Sequence, residues 1–143
     1  MLYQLSDDPQ KIRVLLVDDN VDLTRLYRLT MGIESDMCCV GTLSSTKTLT
    51  ESVASLLPDV VLMDLVIPGE DVLDAVTRLR ATNPSLQILI LSGYEAPSAV
   101  VDAERAGASG YISKNHEPEE VLARVREFHR QKDRQAIQGR SRC

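Results

Sequence analysis

The sequence predicts an α/β fold in which one parallel β-sheet is covered by helices on both faces. Two observations predict it: short apolar runs of strand length occur five times, and each is followed by a stretch whose apolar residues recur at helical spacing. The most informative run is 59–64, which is apolar enough for a strand buried on both faces. It ends in the carboxylate of Asp64 and precedes a turn at Pro68-Gly69, so a charged side chain lies where a buried strand enters a loop.

The remaining elements follow from the same two patterns. Asn20 is a candidate cap for the first helix, and Ser44 or Ser45 for the second. Pro97 and Pro118 suit the first turns of the fourth and fifth helices. The predicted strands are 11–17, 37–43, 59–64, 86–91 and 109–113. The predicted apolar stripes of the helices are, in chain order, Leu23, Leu26, Leu29 and Ile33; Leu49, Val53, Leu56 and Leu57; Val72, Leu73, Val76 and Leu79; Ala99, Val100, Ala103 and Ala106; and Val121, Leu122, Val125 and Phe128.

Five alternating strands and helices restrict the topology of the sheet. Right-handed crossovers and five units of this length fit the flavodoxin-like order 2-1-3-4-5, a three-layer (βα)5 sandwich. Its switch point lies between strands one and three, at the carboxyl edge where open parallel sheets bind ligands. The predicted organisation is a loose lead-in over residues 1–10, one domain over 11–130, and a basic polar tail or the start of a linker over 131–143.

Composition and charge exclude several classes of function. A chain of 143 residues with 43% hydrophobic residues can bury one core of ordinary size. Of the net charge of −5, the tail from Gln131 contributes +3, from four cations and one carboxylate, which leaves −8 on the body and argues against nucleic-acid binding. No apolar run approaches the roughly 20 residues of a membrane span, and the first ten residues lack a signal-peptide core. Cys38, Cys39 and Cys143 lack metal-ligand or disulfide spacing, so all are predicted to be reduced thiols in a cytoplasmic protein.

Polar side chains occur at the carboxyl ends of four predicted strands. Asp18-Asp19 follows the first strand and Asp64 ends the third, so in the predicted order three carboxylates meet at one edge. Like charges this close require a counter-charge, and Mg²⁺ takes few carboxylates together with waters and phosphate oxygens. Ser92 and Lys114 end the fourth and fifth strands at the same edge, where a hydroxyl and an ammonium suit a phosphoryl group. Asp64 can then act as the nucleophile that receives it.

Each of these residues also has an ordinary structural interpretation. Asp18-Asp19 could cap a helix, and Ser92 could serve a turn. Lys114 could be a solvated loop charge, and Tyr111 a half-buried strand residue. Unrelated caps and turns would seldom all fall at the carboxyl ends of strands, so the arrangement as a whole favours a functional site.

Four motifs resemble the receiver domain of bacterial two-component response regulators. They are Val14-Leu15-Leu16-Val17-Asp18-Asp19-Asn20, the Asp64-x-x-x-Pro68-Gly69 loop, Leu91-Ser92-Gly93, and Ala106-Gly107-Ala108-Ser109-Gly110-Tyr111-Ile112-Ser113-Lys114. The resemblance covers residues 11–130, and the segment 107–121 is closest in pattern to receivers of the NarL/FixJ-type subgroup, which precede a helix-turn-helix output domain. The chain is therefore expected to be either a single-domain regulator or the receiver part of a longer transcriptional regulator.

The resemblance implies how the acidic edge works. Asp64 is the implied phosphoacceptor, and a sensor histidine kinase or a phosphotransfer protein is the implied donor. Asp19 and Asp64 would bind Mg²⁺ directly, the carbonyl of Val66 would be a further ligand, and Asp18 would act through water. Lys114 matches the family's phosphate-contacting lysine.

The resemblance also implies a switch. Ser92 and Tyr111 match the family's hydroxyl and aromatic switch positions. Movement of Ser92 toward a phosphate would let Tyr111 turn inward and shift the fourth helix, whose face of small residues buries little area. The expected readout surface is helix 4, strand 5 and helix 5, from Pro97 to Phe128, and the expected partner is another protein or a second copy of the chain. Direct binding to nucleic acid or to a membrane is not expected.

The sequence departs from the family pattern at three positions. Ile67 stands where the family often has Met, and Val72 stands where it often has Gly, so the loop after Asp64 is expected to differ in path. Asn115 follows Lys114, whereas many receivers have Pro there with a cis bond. Because a cis bond without Pro costs about 3 kcal/mol, a trans bond is expected.

Three other function classes fit less well. Phosphatases of the haloacid-dehalogenase type also use an Asp nucleophile and Mg²⁺, but they carry a second Asp where this chain has Val66. Their acidic pair comes late in the chain, whereas Asp18-Asp19 comes first. A flavodoxin would need a Ser/Thr/Gly-rich loop after strand one, and a DNA-binding function would rest only on the basic tail.

Overall fold

The computed structural model describes residues 11–141, with side chains from Lys11 to Lys132. Within this range five strands alternate with five helices: β1 (Ile12–Val17), α1 (Val21–Ile33), β2 (Met37–Leu43), α2 (Leu49–Leu56), β3 (Val60–Asp64), α3 (Val72–Thr82), β4 (Gln87–Ser92), α4 (Pro97–Ala106), β5 (Gly110–Ser113) and α5 (Pro118–Ser141). Neighbouring strands pair in parallel in the order β2-β1-β3-β4-β5. The predicted flavodoxin-like topology is confirmed, and every strand boundary lies within one residue of its predicted position.

The register of the sheet brings the carboxyl ends of the strands into line. Val17 of β1 pairs with Met63 of β3, which sets the residues that follow β1 beside Asp64. Ser92 at the end of β4 pairs with Ser113 at the end of β5. All residues of β3 are buried, as expected for a strand covered on both faces. Polar side chains that end these strands therefore emerge along one edge.

The sheet separates two aliphatic cores. One core lies between the sheet and helices α1 and α5, and the other lies between the sheet and helices α2, α3 and α4. Helix α4 fully buries only Ala103, while Ala99, Val100 and Ala106 are half-buried. Since the stabilisation from apolar burial scales with the area removed from water, α4 is held less firmly than its neighbours.

The apolar stripe predicted for α1 is wrong beyond Leu23, which packs partly against the core. Leu29 and Ile33 are 64% and 86% exposed, and the buried face carries Tyr27, Met31 and two threonines instead. These threonines can be buried because each hydroxyl donates to a carbonyl of its own helix; the Thr24 hydroxyl, for example, donates to Val21 O at 2.9 Å. Both faces of α1 carry apolar groups, so helical spacing alone could not choose between them.

The ends of α2 also differ from the prediction. Thr48 occupies the N-cap position without a capping side-chain bond. The hydroxyl of Ser45, one of the two predicted caps with Ser44, instead accepts from the N–H of Lys47 at 3.0 Å. Leu57, placed in the apolar stripe by spacing, ends the helix with φ +51° and is exposed. This left-handed residue turns the chain away from the helix axis before β3 begins.

At the amino edge of the sheet, opposite the acidic residues, Arg80 of α3 joins several elements. Its Nε donates to Gly107 O at 2.9 Å and its Nη1 to Leu86 O at 2.6 Å. Its Nη2 donates to Ser109 Oγ at 3.0 Å, and that hydroxyl also accepts from the N–H of Ile88. Gly107 has φ +118°, and a Cβ there would lie 3.0 Å from the Cβ of Arg80. The guanidinium thus fixes the end of α4 against the starts of β4 and β5.

Helix α5 runs past the predicted domain boundary at Arg130, since its backbone is helical to Ser141. Arg126 ties α5 to the turn before β2 through two bonds to Asp36, at 2.6 and 2.9 Å. None of the helices described between residues 11 and 141 has the length and apolarity of a membrane span. The predicted lead-in over residues 1–10 lies outside the described residues, as does Cys143.

Candidate functional site

The structure brings the three predicted carboxylates together. Asp18 and Asp19 follow β1 directly and Asp64 is the last residue of β3. One carboxylate oxygen from each lies within 4.8 Å of the other two. Asp18 and Asp64 are buried, whereas Asp19 is exposed at the rim. Buried carboxylates need partners, and the neighbouring groups show how these are held.

Local backbone turns fix the two buried carboxylates. Asp18 Oδ1 accepts from the N–H of Asn20 at 2.9 Å, and Asp64 Oδ1 accepts from the N–H of Val66 at 3.1 Å. Asn20 caps α1 as predicted, with its side chain accepting from Leu23 N at 3.1 Å. Each buried carboxylate therefore uses one oxygen within its own turn, and its other oxygen is free to pair with a cation.

Lys114 supplies the positive charge of the site. Its Nζ lies 3.1 Å from Asp18 Oδ2 and 3.0 Å from Asp64 Oδ2. Burial alone would lower the pKa of Lys114, but its hydrogen bonds to Asp64 and Asp18 outweigh burial and leave the pKa raised. The ammonium pairs with two of the three clustered carboxylates, so the cluster carries more negative charge than Lys114 neutralises and can accept a further cation.

Ser92 lines the same cleft as Asp64. The cleft has a volume of about 300 Å³ and is also lined by Val66, Gly93, Tyr94 and Lys114. The Ser92 side chain is buried, and its Oγ accepts from the N–H of Tyr94 at 3.0 Å. Its carbonyl accepts from the N–H of Lys114 at 2.8 Å. The hydroxyl is therefore close to the acidic edge but engaged with its own loop.

Tyr111 lies one strand further along, on β5. It packs partly against the core under α2, α3 and α4, and its hydroxyl donates to the carbonyl of Tyr94 at 2.6 Å. The peptide groups of Tyr94 thus bond to Ser92 on one side and to Tyr111 on the other. The sequence analysis missed this link because a backbone group in a loop leaves no signal in residue type or spacing.

Tyr27 is a second group that the sequence analysis missed. It lies on the buried face of α1 and lines a void of about 10 Å³ together with Asp18, Asp64 and Thr24. Burial, with a further contribution from the charge of Asp18, raises the pKa of Tyr27 to about 12. A neutral phenol therefore lies beneath the acidic edge. Its position on a face that spacing had assigned to solvent explains why it was overlooked.

The sequence departs from its expected family in two places: at the bond between Lys114 and Asn115, and in the loop after Asp64. The Lys114–Asn115 peptide bond is trans, as expected. Ile67 is buried, and Val72 starts α3 with Asp71 as its cap, accepting from Asp74 N at 3.0 Å.

Fold and site together define a class: a doubly wound α/β domain whose carboxyl edge holds an acidic cluster, a lysine and a hydroxyl in one cleft. Residues 14–126 match the response regulator receiver domain, and the chain belongs to that family.

Relatives agree with this assignment. The chain is 37% identical over 105 residues to a protein-glutamate methylesterase/protein-glutamine glutaminase of Nocardioides sp., covering 72% of this chain and 29% of that protein. It is 34% identical over 109 residues to the nitrate/nitrite response regulator protein NarL of Escherichia coli strain K12, covering 76% of this chain and 50% of that protein. A crystal structure of a two-component response regulator of the LuxR family from Aurantimonas sp. superposes with a TM-score of 0.78 at 26% identity, covering 83% of this chain and 85% of that one. The predicted resemblance to NarL/FixJ-type receivers is confirmed, and the chain spans half or less of the length of these two curated relatives.

Proposed function

We propose that this domain is a phosphorylation-dependent signalling switch whose phosphoacceptor is Asp64. The observation that carries the proposal is the setting of that carboxylate. One oxygen is held by the N–H of Val66, and the other faces Lys114 in a cleft that Ser92 also lines. A nucleophile held at a strand end, with cationic and hydroxyl groups around the place where a phosphoryl group would sit, suits acceptance of that group.

The acidic cluster fits Mg²⁺. Three carboxylate oxygens within 4.8 Å of one another are the hard ligands that this ion prefers. Asp19 and Asp64 would bind it directly, the Val66 carbonyl would add a further ligand, and Asp18 would act through water. When bound, the ion would neutralise phosphoryl oxygens as charge develops on them.

The proposed reaction moves a phosphoryl group from a phosphohistidine to Asp64. A carboxylate oxygen of Asp64 attacks the phosphorus, and an O–P bond forms as the N–P bond breaks. The imidazole nitrogen of the donor leaves with the electron pair of the broken bond and takes a proton from solvent. Lys114 stabilises charge on the phosphoryl oxygens, and Ser92 donates a hydrogen bond to one of them.

The donor is a sensor histidine kinase or a phosphotransfer protein, and α1 is the surface proposed for its docking. Val21, Leu26, Leu29 and Ile33 are exposed along this helix, which starts directly after the acidic edge. A donor that brings a phosphohistidine to Asp64 must cover adjoining surface, and an apolar stripe suits one of its helices.

Docking on α1 is tested by comparing a protein donor with a small one. Leu29→Asp should slow transfer from a phosphorylated histidine phosphotransfer protein and leave the rate with acetyl phosphate unchanged. Val101→Asp, a matched change at an exposed position on α4, should affect neither rate. Equal slowing by Leu29→Asp with both donors would exclude α1 as the docking surface.

Phosphorylation is proposed to act through Ser92 and Tyr111 on the surface formed by α4, β5 and α5. Movement of Ser92 toward the phosphate would break its bond to Tyr94 N and displace the carbonyl that holds Tyr111. The lightly anchored α4 lies next to this loop and can shift at low cost. The readout is then a protein partner or a second copy of the chain, without direct binding to nucleic acid. The alternative role is that of the receiver within a longer transcriptional regulator, which the greater length of NarL supports.

A hydrolase function fits the site less well, and we infer that the domain is not an enzyme. Val66, two residues after Asp64, is aliphatic and 53% exposed where a phosphatase of the haloacid-dehalogenase type would place its general acid.

Intact-mass spectrometry after incubation with acetyl phosphate and Mg²⁺ tests the proposed function. The wild-type chain should gain one phosphate, and Asp64→Asn should gain none. Asp102→Asn, the same chemical change at an exposed position on α4, should behave like wild type. An equal gain in Asp64→Asn would overturn the assignment.

A further inference from the structure

The loop after β5, which carries Lys114, is fastened to the loop after β4 by one carboxylate. Ser113 Oγ donates to Glu95 Oε1 at 2.6 Å, and Asn115 Nδ2 donates to the same oxygen at 3.4 Å. The Ser113 hydroxyl also accepts from the N–H of Asn115 at 3.1 Å. The residues on both sides of Lys114 therefore share one anchor, and that anchor lies on the neighbouring loop.

The anchor bears on where the Lys114 ammonium lies. Four rotatable bonds separate the Lys114 backbone from Nζ, so the position of the backbone decides which side-chain rotamers let the ammonium reach both carboxylates. The backbone is fixed at Lys114 itself by Ser92 O and on both flanks by Glu95. With the loop fixed, Nζ reaches both Asp18 and Asp64. Electrostatic stabilisation of a transferring group depends on such placement to within a fraction of an ångström.

Glu95 does not take part in the chemistry directly. It is absent from the residues that line the cleft over Asp64, and its described hydrogen bonds go to Ser113 and Asn115. The bond from Ser113, followed by that from Asn115, lowers the pKa of Glu95, so its carboxylate is ionised at neutral pH.

We propose that Glu95 is a positioning residue for phosphoryl transfer to Asp64, acting on Lys114 through Ser113 and Asn115. This inference rests on the proposed function of the domain. An oxygen that accepts a hydrogen bond from Ser113 is required at position 95, and a negative charge is not. Glutamine supplies that oxygen, and alanine does not.

The test measures initial rates of phosphorylation by acetyl phosphate at saturating Mg²⁺, followed by intact mass. Glu95→Ala should slow the reaction about three- to tenfold, the factor that losing one or two modest hydrogen bonds produces. Glu95→Gln should restore most of the rate. Mg²⁺ affinity in the absence of donor should stay unchanged in both variants, because Glu95 touches none of the three carboxylates that would bind the ion.

Ser113→Ala provides a second route to the same result. It should slow the reaction as Glu95→Ala does, and the double variant should be no slower than either single one, since both remove the same link. Glu51→Ala, which removes the same charge from an exposed position on α2, outside the readout surface, is the matched control and should react like wild type. Thermal midpoints should agree among the variants, which separates positioning from loss of stability.

Three results would overturn the positioning role. They are a wild-type rate in Glu95→Ala, a rate in Glu95→Gln as low as in Glu95→Ala, and fully additive effects of Glu95→Ala and Ser113→Ala. Each leaves the proposed function intact if the wild-type chain still takes up phosphate. If the wild-type chain takes up none, the proposed function fails and the positioning role falls with it.

Discussion

The two edges of the sheet both carry charged side chains, but they use them in opposite ways. At the amino edge, Arg80 donates to Gly107 O, where α4 ends, and to Leu86 O, just before β4. Arg13 donates to Leu56 O at 2.7 Å and Leu57 O at 3.3 Å, where α2 ends. At the carboxyl edge, three carboxylates face one another and a single ammonium. At the amino edge, the guanidinium groups bind backbone carbonyls of the domain itself. At the carboxyl edge, the carboxylates remain available to bind a ligand.

The two edges of the sheet therefore differ in role: the amino edge stabilises the fold, and the carboxyl edge forms the candidate site. Carbonyls at the amino edge, several of them in partly buried hydrogen bonds, would lose their donors if an arginine were removed, and this loss costs stability. Carboxylates at the carboxyl edge repel one another, so neutralising one of them removes repulsion. Substitutions at the first edge should therefore lower stability, and substitutions at the second should lower ligand binding.

The largest effect is expected from Arg80→Met. Several carbonyls lose a donor at once, so the free energy of unfolding should fall by about 3 kcal/mol. Urea unfolding followed by circular dichroism measures it. Arg78→Met, on the exposed side of the same helix, should change stability by less than about 0.5 kcal/mol. Similar losses of stability in the two variants would show that Arg80 has no special role at the amino edge.

Asp19→Asn should impair ligand binding at the carboxyl edge and leave the amino edge unaffected. Asp18→Asn, which removes a group acting through water, should weaken Mg²⁺ binding by about 10-fold, and Asp19→Asn, which removes a direct ligand, should weaken it more, by about 100-fold. Neither variant should be less stable than wild type. A Mg²⁺ titration followed by NMR measures the ranking, since the chain has no Trp. Equal losses in both variants would contradict the proposed ligand roles.

Ser92→Ala tests whether the carboxyl edge is coupled to the readout surface formed by α4, β5 and α5. It should keep Mg²⁺ binding, because Ser92 is not a proposed ligand, and lose the coupling to α4 and β5. A bias of about 1–3 kcal/mol is enough to change partner affinity several-fold. Amide shifts with and without beryllofluoride map the change. Shifts confined to the acidic edge in wild type, or unaltered by Ser92→Ala, would refute the coupling.

The smallest effect is expected from Asp36→Asn, which breaks a half-exposed ion pair with Arg126 at the turn before β2. The hydrogen bond from Arg126 holds the pKa of Asp36 below its usual range, so ionised Asp36 favours the folded state. This contribution is present above the unfolded pKa of about 3.9 and is lost as the pH falls through the lower folded value. At neutral pH, Asp36→Asn should cost about 0.5–1 kcal/mol, and the difference from wild type should vanish in acid. A difference that persists in acid would assign the effect to packing.

The carboxyl edge was predictable because its residues are marked by local patterns. Asp64 ends and Ser92 follows an apolar run typical of a buried strand, and parallel topology then brings the strand ends together. The buried face of α1 was not predictable from spacing, because Tyr27 and Met31 compete with an equally regular set of leucines. Tertiary packing decides such cases, and the threonines on the buried face satisfy their hydroxyls within the helix.

Links between loops were the other feature beyond prediction. The bonds of Tyr94 to Ser92 and Tyr111, and of Glu95 to Ser113, depend on how two loops meet after the sheet has formed. Neither residue type nor spacing predicts which loop residues come into contact. The hydrogen bonds of Arg80 at the amino edge were unpredictable for the same reason, since in the sequence Arg80 resembles an ordinary surface cation on a helix.

Locating the phosphoryl group tests the central claim most directly. After phosphorylation, borohydride reduces an acyl phosphate on an aspartate to an alcohol, and peptide mass mapping then finds the altered residue. The account predicts reduction at Asp64 alone, with Asp18 and Asp19 recovered unchanged. Modification at either of those residues, or at none of the three, would contradict it.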